Sequence, residues 1–249
     1  MTPEADAQTG GSAAAGSTTL RFEFGSNSRC LLQPARAPRA AERAPLIVFL
    51  HGQGQSGERQ QRWMGAAVPD HFAAAFPDGF LPYEIRKPGK PVRIGHGWYL
   101  YSADRPAFLA SLREAVARVW QLVDRACEEL GADPQRIWFA GFSQGAYLTH
   151  TTALHGLDRV QGWIGQAGAF RADYAPEPAP NASGKPVLLQ HGTLDEALPL
   201  VQAEATADLL RSFGADVELA THEVKHVITP AMATEARAWL ERHSARLSD

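Results

Sequence analysis

Cysteine is almost absent from this chain of 249 residues, which contains only two. Cys30 lies in a short run typical of a strand, and Cys127 lies in a pattern typical of a helix. Two isolated thiols make neither a disulfide framework nor the cysteine spacing of a structural metal site. We therefore expect both cysteines to be free thiols, and we expect no metal.

A strong net charge and long apolar runs are also missing. The formal net charge is −3, so no overall positive field favours nucleic acid or an anionic membrane as a partner. No apolar run approaches the ~20 residues that a membrane-spanning helix needs. The alanines at 13–15 are too few for the apolar region of a signal peptide, and no Lys or Arg precedes Arg21. We expect a cytoplasmic protein without integral membrane association.

Hydrophobic residues make up 45% of the chain, which is enough for a large core. Residues 1–18 are rich in Ala, Gly, Ser and Thr without periodicity, a composition typical of a flexible tail. We expect residues 19–249 to form a single domain. Residues 20–24 and 30–33 have the pattern of two short strands around a turn, which predicts an antiparallel N-terminal hairpin.

Further along the chain, apolar strand candidates alternate with helical or loop segments. The strand candidates are residues 46–50, 73–76, 137–142, 162–165, 187–190 and 217–220. The clearest helix is predicted for residues 105–130, where apolar residues recur at steps of three and four before Gly131. Thr229 and Pro230 predict the start of a terminal helix. This alternation predicts an α/β fold with a mostly parallel central sheet and helices on both faces.

Residues 141–145, with the sequence GFSQG, are the most informative stretch. They follow the apolar residues 137–140 and precede a helix candidate at 146–154, which is the order of a nucleophile elbow. In such a turn the serine is strained and exposed, and the neighbouring chain passes so close that only glycine fits at positions 141 and 145. The alternative is a glycine-flanked serine in an ordinary turn between strand and helix.

A serine hydroxyl needs a histidine to take its proton and a carboxylate to orient that histidine. In the chain order Ser, Asp, His, the best partners for Ser143 are Asp195 and His226, because each follows one of the later strand candidates. Glu196 is the nearest rival of Asp195. His222 is less suitable than His226 because it is expected to belong to a strand. Without the elbow, Asp195 would be interpreted as a turn or helix-capping carboxylate.

A tetrahedral intermediate also needs two backbone N–H donors for its oxyanion. Gln144, directly after the serine, is expected to supply one of them. Residues 51–57, with the sequence HGQGQSG, follow the strand candidate 46–50, and Gln53 is the candidate for the second donor. The alternative is a phosphate-binding loop, but the segment lacks both the Lys-Ser/Thr ending and dinucleotide-binding spacing.

These motifs resemble the phospholipase/carboxylesterase family of α/β-hydrolases, which includes bacterial carboxylesterases and acyl-protein thioesterases. The resemblance covers most of residues 45–242. It is carried by residues 51–54 with Trp63, residues 141–146, residues 191–195 with 198–199, and residues 226–229. It implies an α/β-hydrolase fold without a cofactor, in which Ser143, Asp195 and His226 are catalytic and Gln53 and Gln144 form the oxyanion hole.

Two positions depart from the pattern of that family. The family commonly has glycine directly before the catalytic histidine, where this chain has Lys225. An acidic residue is common where this chain has Gln55. The first departure concerns the geometry of the histidine loop, and neither removes a group that the chemistry requires.

Residues 81–101 are basic, aromatic and long enough to overhang the site. The resemblance implies that this segment helps line the acyl pocket, which makes Trp98 and Tyr99 candidate substrate contacts. Cations of the same segment would favour an anionic acid portion: Arg86, Lys87, Lys90 and Arg93. The alternative is a solvated loop whose aromatic side chains anchor it to the core.

The sequence therefore predicts a serine hydrolase that cleaves small-molecule carboxylic esters through an acyl-enzyme intermediate. A thioesterase acting on acyl-protein or acyl-coenzyme A is one alternative, because the same groups attack both kinds of bond. A peptidase or amidase uses the same triad. A binding protein that kept the fold and lost the chemistry is the alternative from another class. The oligomeric state stays open.

Overall fold

Strands and helices alternate along the residues that the computed structural model describes, 28–38 and 42–245. The strands are β1 Cys30–Gln33, β2 Pro45–Leu50, β3 Ala73–Pro77, β4 Leu81–Ile85, β5 Arg93–Gly97, β6 Asp133–Phe142, β7 Val160–Gln166, β8 Pro186–Gly192 and β9 Asp216–His222. The helices are α1 Gly57–Met64, α2 Arg105–Leu130, α3 Gln144–Leu154, α4 Leu200–Ser212 and α5 Pro230–Ala245. Short 3₁₀ turns occur at Gly65–Ala67 and Ala172–Tyr174.

Seven of these strands form one sheet, in the order β1-β3-β2-β6-β7-β8-β9. All neighbouring strands in it are parallel except β1, which pairs antiparallel with β3. Leu50 at the end of β2 is paired with Gly141 near the end of β6. The loops that follow the parallel strands therefore meet at one edge of the sheet, as the α/β prediction requires.

Each predicted strand of the central sheet is confirmed, and most extend beyond the apolar residues that predicted them. β6, for example, begins at Asp133 although its buried part begins at Ile137. The predicted partner of β1, residues 20–24, lies outside the described residues, as does the tail 1–18. Among the described strands, β1 pairs with β3, so Cys30 faces Pro77 across the ladder.

The core lies on both faces of the sheet, because successive side chains of a strand point to opposite sides. All of β2 is buried: Leu46, Val48 and Leu50 pack on the side of α2 and α3, whereas Ile47 and Phe49 pack on the side of α1 and α5. Helices thus cover both faces, as predicted. No described helix is long and apolar enough to cross a membrane.

Helix α2 has the bounds that its apolar periodicity predicts. The side chain of Asp104 accepts a hydrogen bond from the N–H of Ala107 at the start, at 3.1 Å. Gly131 ends the helix with a φ of 61°, in the left-handed region that glycine adopts without strain. The predicted start of α5 is also confirmed, since the Thr229 hydroxyl accepts from the N–H of Met232 at 3.3 Å.

Residues 81–101 are more regular than a loop, because β4 and β5 form a separate two-stranded ribbon. This ribbon is bound to the loop after β2 through main-chain groups. The N–H of Gly54 donates to the carbonyl of His96 at 2.8 Å, and the N–H of His96 donates to the carbonyl of Gln55 at 3.0 Å. The ribbon therefore fixes the loop that contains Gln53.

A buried histidine in α3 makes the stability of the fold sensitive to acid. His150 is fully buried, and its Nδ1 accepts a hydrogen bond from Trp163 Nε1 at 3.0 Å, so the ring is neutral. Burial lowers the pKa of His150 to about 3, whereas an unfolded histidine titrates near ~6.5. Below pH ~6.5 the unfolded chain binds a proton at this histidine that the folded chain does not bind, so the free energy of unfolding decreases as the pH falls.

We predict that His150→Gln makes the protein less sensitive to acid. Between pH 7 and pH 5 the wild type should lose about 2 kcal/mol of unfolding free energy through this one group, and the variant should not. Urea denaturation at both pH values measures the difference. His155→Gln, on the exposed end of the same chain segment, is the control and should keep the wild-type loss; an equal loss in all three proteins would contradict the prediction.

Candidate active site

Ser143 stands between strand β6 and helix α3, in a strained backbone conformation. Its φ is 53° and its ψ is −118°, a backbone conformation that residues other than glycine rarely adopt. A Cβ on Gly141 would lie 2.3 Å from the carbonyl oxygen of Gly145, and a Cβ on Gly145 would lie 2.1 Å from the carbonyl oxygen of Leu50. The predicted strand-turn-helix elbow and its need for two glycines are thereby confirmed.

The structure brings Ser143, His226 and Asp195 into one chain of hydrogen bonds. Ser143 Oγ lies 2.9 Å from His226 Nε2, and His226 Nδ1 lies 2.7 Å from Asp195 Oδ2. A carboxylate only accepts, so Nδ1 carries the proton and Nε2 is left to accept from the serine hydroxyl. The His226 ring also packs against Phe142, with ring centroids 5.0 Å apart.

The carboxyl group of Asp195 is buried and fully hydrogen-bonded. Its Oδ1 accepts from the N–H groups of Ala197 and Leu198, each at 2.9 Å, while Oδ2 faces His226. Burial raises the pKa of this carboxyl, but the hydrogen bonds from Leu198, His226 and Ala197 outweigh burial and hold the pKa below its usual value. Asp195 is therefore ionised at neutral pH.

The two rivals considered from the sequence lie elsewhere. Glu196 faces solvent and pairs with Lys225 at 3.5 Å. His222 belongs to β9, as predicted, and its Nε2 lies 3.1 Å from Glu235 Oε2. Lys225, at the position where the family has glycine, thus points to the exposed Glu196 and leaves His226 in reach of the serine.

His191, at the end of β8, supports the loop of Asp195 and was not singled out from the sequence. Its Nε2 donates to the carbonyl of Leu198 at 2.8 Å and lies 3.7 Å from Asp195 Oδ2. Gly192 lets the histidine loop pack on the same strand end, since a Cβ there would lie 2.2 Å from the Val224 carbonyl oxygen. In the sequence, the signal for this role is a histidine at the end of an apolar strand candidate, directly before the loop of Asp195.

Gln53 and Gln144, the predicted oxyanion donors, border the same cavity as Ser143 and His226. Within the described residues, neither backbone N–H has a protein acceptor. Gln144 is the first residue of α3, where N–H groups lack helical partners and the helix dipole favours a negative charge. Both amides are therefore available to a ligand oxygen.

His51 supports the loop of Gln53 through two hydrogen bonds. The Nδ1 of His51 donates to the carbonyl of Gly52 at 2.8 Å, and its Nε2 accepts from the N–H of Gly79 at 2.9 Å. Burial lowers the pKa of His51 to about 4, so the ring stays neutral as these two bonds require.

The side chain of Gln144 has a second role that the sequence pattern does not reveal. Its Oε1 accepts from the N–H of Trp98 at 3.1 Å, and its Nε2 donates to the carbonyl of Tyr99 at 3.2 Å. The residue after the serine thus binds the segment that follows β5. An amide suits this position because it offers one acceptor and one donor side by side.

Trp98 and Tyr99, the candidate substrate contacts, have different surroundings. Trp98 is buried, and its Nε1 donates to the carbonyl of His51 at 2.7 Å. Tyr99 is also buried, but one side of it borders a cavity beside Ser143. Tyr99 is thus the member of this pair that reaches the cavity wall.

Two cavities open on Ser143 and His226, and they differ in chemistry. One, here called the Arg59 cavity, measures about 320 Å³, and the other, here called the tyrosine cavity, measures about 250 Å³. The Arg59 cavity is lined by Gln55, Arg59, Trp63, Phe142, Val227 and Ile228. The tyrosine cavity is lined by Tyr99, Tyr101, Gln144, Tyr147, Ala197 and Leu198. Gln53 borders both of them.

The parallel sheet, the strained serine at the end of β6 and the loops gathered around it define an α/β-hydrolase. The sequence pattern of the phospholipase/carboxylesterase family matches residues 35–244. The chain belongs to this family and is an ester hydrolase.

Some of the similar proteins are named carboxylesterases or esterases, and others are named acyl-protein thioesterases. A probable carboxylesterase of Oryza sativa subsp. japonica is 24% identical over 233 residues, which cover 86% of this chain and 83% of the relative. Acyl-protein thioesterase 1 of Eremothecium gossypii is 32% identical over 140 residues, which cover 53% of this chain and 58% of the relative. The crystal structure of esterase PE8 is 25% identical with a TM-score of 0.69, covering 87% of this chain and 99% of that one.

We predict that Gln144→Leu destabilises the protein by about 1–3 kcal/mol, because it leaves the buried N–H of Trp98 and carbonyl of Tyr99 without their partner. Urea denaturation at pH 7 measures the change. Gln202→Leu on the exposed face of α4 is the matched control and should stay within about 0.5 kcal/mol of wild type. Equal stability of the Gln144 variant and wild type would contradict the prediction.

Proposed function

We propose that the protein cleaves carboxylic esters by nucleophilic catalysis, with Ser143 as nucleophile, His226 as general base and then acid, and Asp195 as the orienting carboxylate. The observation that supports this most is the pair of hydrogen bonds through His226, of 2.9 Å to Ser143 Oγ and 2.7 Å to Asp195 Oδ2. Family membership supports the same kind of substrate.

In the first half of the reaction His226 Nε2 takes the hydroxyl proton of Ser143 while Oγ attacks the ester carbonyl carbon. The carbonyl oxygen becomes an oxyanion, which the N–H groups of Gln53 and Gln144 stabilise. The imidazolium then gives its proton to the leaving alcohol oxygen. The alcohol departs and the acyl group stays on Ser143 as an ester.

In the second half a water molecule attacks the acyl-enzyme. His226 takes one proton from the water, and the tetrahedral intermediate again places its oxyanion on the two N–H groups. Its collapse releases the carboxylic acid and returns the proton from His226 to Ser143 Oγ. Asp195, ionised throughout, keeps the imidazole oriented and stabilises its charged form.

Thioester cleavage is the second candidate, and the acyl-protein thioesterase among the relatives favours it. The same attack applies to a thioester carbonyl, and a thiolate leaves without needing the proton of His226 as strongly as an alkoxide does, because its pKa is lower. A binding protein of this fold without activity is the remaining alternative. The cytoplasmic location and the single domain over residues 19–249 stay predictions.

We predict that Ser143→Ala lowers kcat for p-nitrophenyl esters by at least about 10⁴-fold, because no other group replaces the nucleophile. An acyl series from acetate to long chains measures turnover, and circular dichroism checks that the variant is folded. Ser212→Ala, at the exposed end of α4, is the control and should keep wild-type turnover.

A fluorophosphonate probe should label wild type and the Ser212 variant but not the Ser143 variant. Substantial turnover by folded Ser143→Ala would contradict the proposed nucleophile. Absence of both turnover and labelling in the wild type would favour the binding protein.

We predict that the protein also hydrolyses thioesters, and that Asp195→Asn slows hydrolysis of an oxygen ester more than hydrolysis of the matching thioester. The oxygen leaving group depends on proton donation from a correctly oriented His226, whereas the thiolate depends on it less. Steady-state kinetics on ethyl and S-ethyl esters of one acid measure the two ratios. An equal loss on both substrates would show that the proton transfer does not distinguish them.

A further inference from the structure

Arg59, on helix α1, is a partly exposed cation in the wall of a cavity that opens on Ser143. Apart from His226, it is the only residue with a basic or acidic side chain among those that line the Arg59 cavity. Its guanidinium carbon lies 4.4 Å from the centre of the Trp63 ring. Stacking on an aromatic face holds the guanidinium plane in place and leaves its N–H groups free to bind in that plane.

Within residues 28–38 and 42–245, Arg59 has no carboxylate partner. Arg62, one turn further along the same helix, shows the usual arrangement and pairs with Glu58 at 3.3 Å. Arg93 on the ribbon is also occupied, since its Nη1 donates to the Gly54 carbonyl at 2.7 Å. Of these three described cations, Arg59 is thus the one whose side chain has neither a carboxylate nor a carbonyl partner.

The surroundings of Arg59 are positive as well. Burial lowers the pKa of the Arg59 guanidinium, and the charges of Arg93 and Arg62 lower it further. An anion beside Arg59 would relieve both effects, because it would replace lost hydration and offset the repulsion between the cations.

The tyrosine cavity, which also opens on Ser143, has no such charge. None of the described residues that line it is Asp, Glu, Lys or Arg, and its walls are formed largely by Tyr99, Tyr101, Tyr147 and Leu198. An ester bound at Ser143 therefore has a cation in one adjoining cavity and aromatic or aliphatic walls in the other.

We propose that Arg59 is a specificity-determining residue that binds a carboxylate of the substrate, so that the preferred esters carry one anionic end and one apolar end. This inference rests on the proposed function, because it assumes that the ester carbonyl lies at Ser143. A carboxylate matches the planar guanidinium through two parallel hydrogen bonds. The bond is made away from the reacting carbonyl, so it should act mainly through KM.

The test compares matched charged and neutral esters. For a carboxylate on the acyl part, the pair is the p-nitrophenyl half-ester of adipic acid and the corresponding methyl p-nitrophenyl diester. For a carboxylate on the alcohol part, the pair is 4-acetoxybenzoate and its methyl ester. The measured quantity is the ratio of kcat/KM between the charged and the neutral member of each pair.

In at least one pair, wild type should prefer the charged member, and Arg59→Gln should lower that ratio about tenfold or more through KM. Arg62→Gln, on the same helix, should leave the ratio unchanged. Arg59→Lys should give an intermediate ratio, because it keeps the charge but loses the planar fork. Added salt should reduce the wild-type preference, since this arginine is partly exposed.

The two proposals fail in different ways. Equal ratios in wild type and Arg59→Gln for both pairs, with Ser143-dependent turnover of the neutral esters intact, would overturn the role of Arg59 and leave the esterase proposal standing. An equal fall in the ratio for Arg62→Gln would also overturn it, because the effect would then come from the general field of the helix. No turnover and no fluorophosphonate labelling would overturn the proposed function itself.

Discussion

The close approach of helix α3 to the end of strand β2 is the constraint on which the site depends. A single methyl group on Gly145 would lie 2.1 Å from the Leu50 carbonyl oxygen, so the helix can begin there only with glycine. With the helix in that position, the chain leaving β6 has to turn sharply, and Ser143 adopts its positive φ. The same approach brings the N–H of Gln144 beside the loop of Gln53, so one packing contact places Ser143, Gln144 and Gln53 around the same cavity.

The parts of the molecule that were predictable from the sequence are those with a signature in one short stretch of residues. The elbow is recognisable within five residues, although the atom that excludes a side chain at Gly145 belongs to Leu50, and the strands of the central sheet are recognisable as apolar runs. The ribbon β4–β5 was not predicted, because Pro82 and Gly95 interrupt the alternation of its strands. Its strands are defined by pairing with each other and with Gln55, which lies far away in sequence.

The side-chain partners of the site show the same division. The chain order of serine, acid and histidine favoured Asp195 and His226, but only the packed structure separates Asp195 from Glu196, since the two are adjacent and chemically alike. The binding of Trp98 and Tyr99 by the Gln144 amide joins residues about 45 positions apart. No spacing rule describes such a contact, because it depends on where a tertiary fold places the segment.

The ribbon binds the Gln53 loop through main-chain groups, so most of its side chains can change without loss of this contact. Amide and carbonyl groups are the same whichever side chains the residues carry, so the pairing between His96 and the loop constrains sequence chiefly at Gly54 and Gly95, where a Cβ would collide. The residues at the far end of the ribbon, 86–92, are exposed and make few such demands. Mutation there alters an exposed surface while the main-chain pairing keeps Gln53 in position, so the far end of the ribbon is free to vary in sequence.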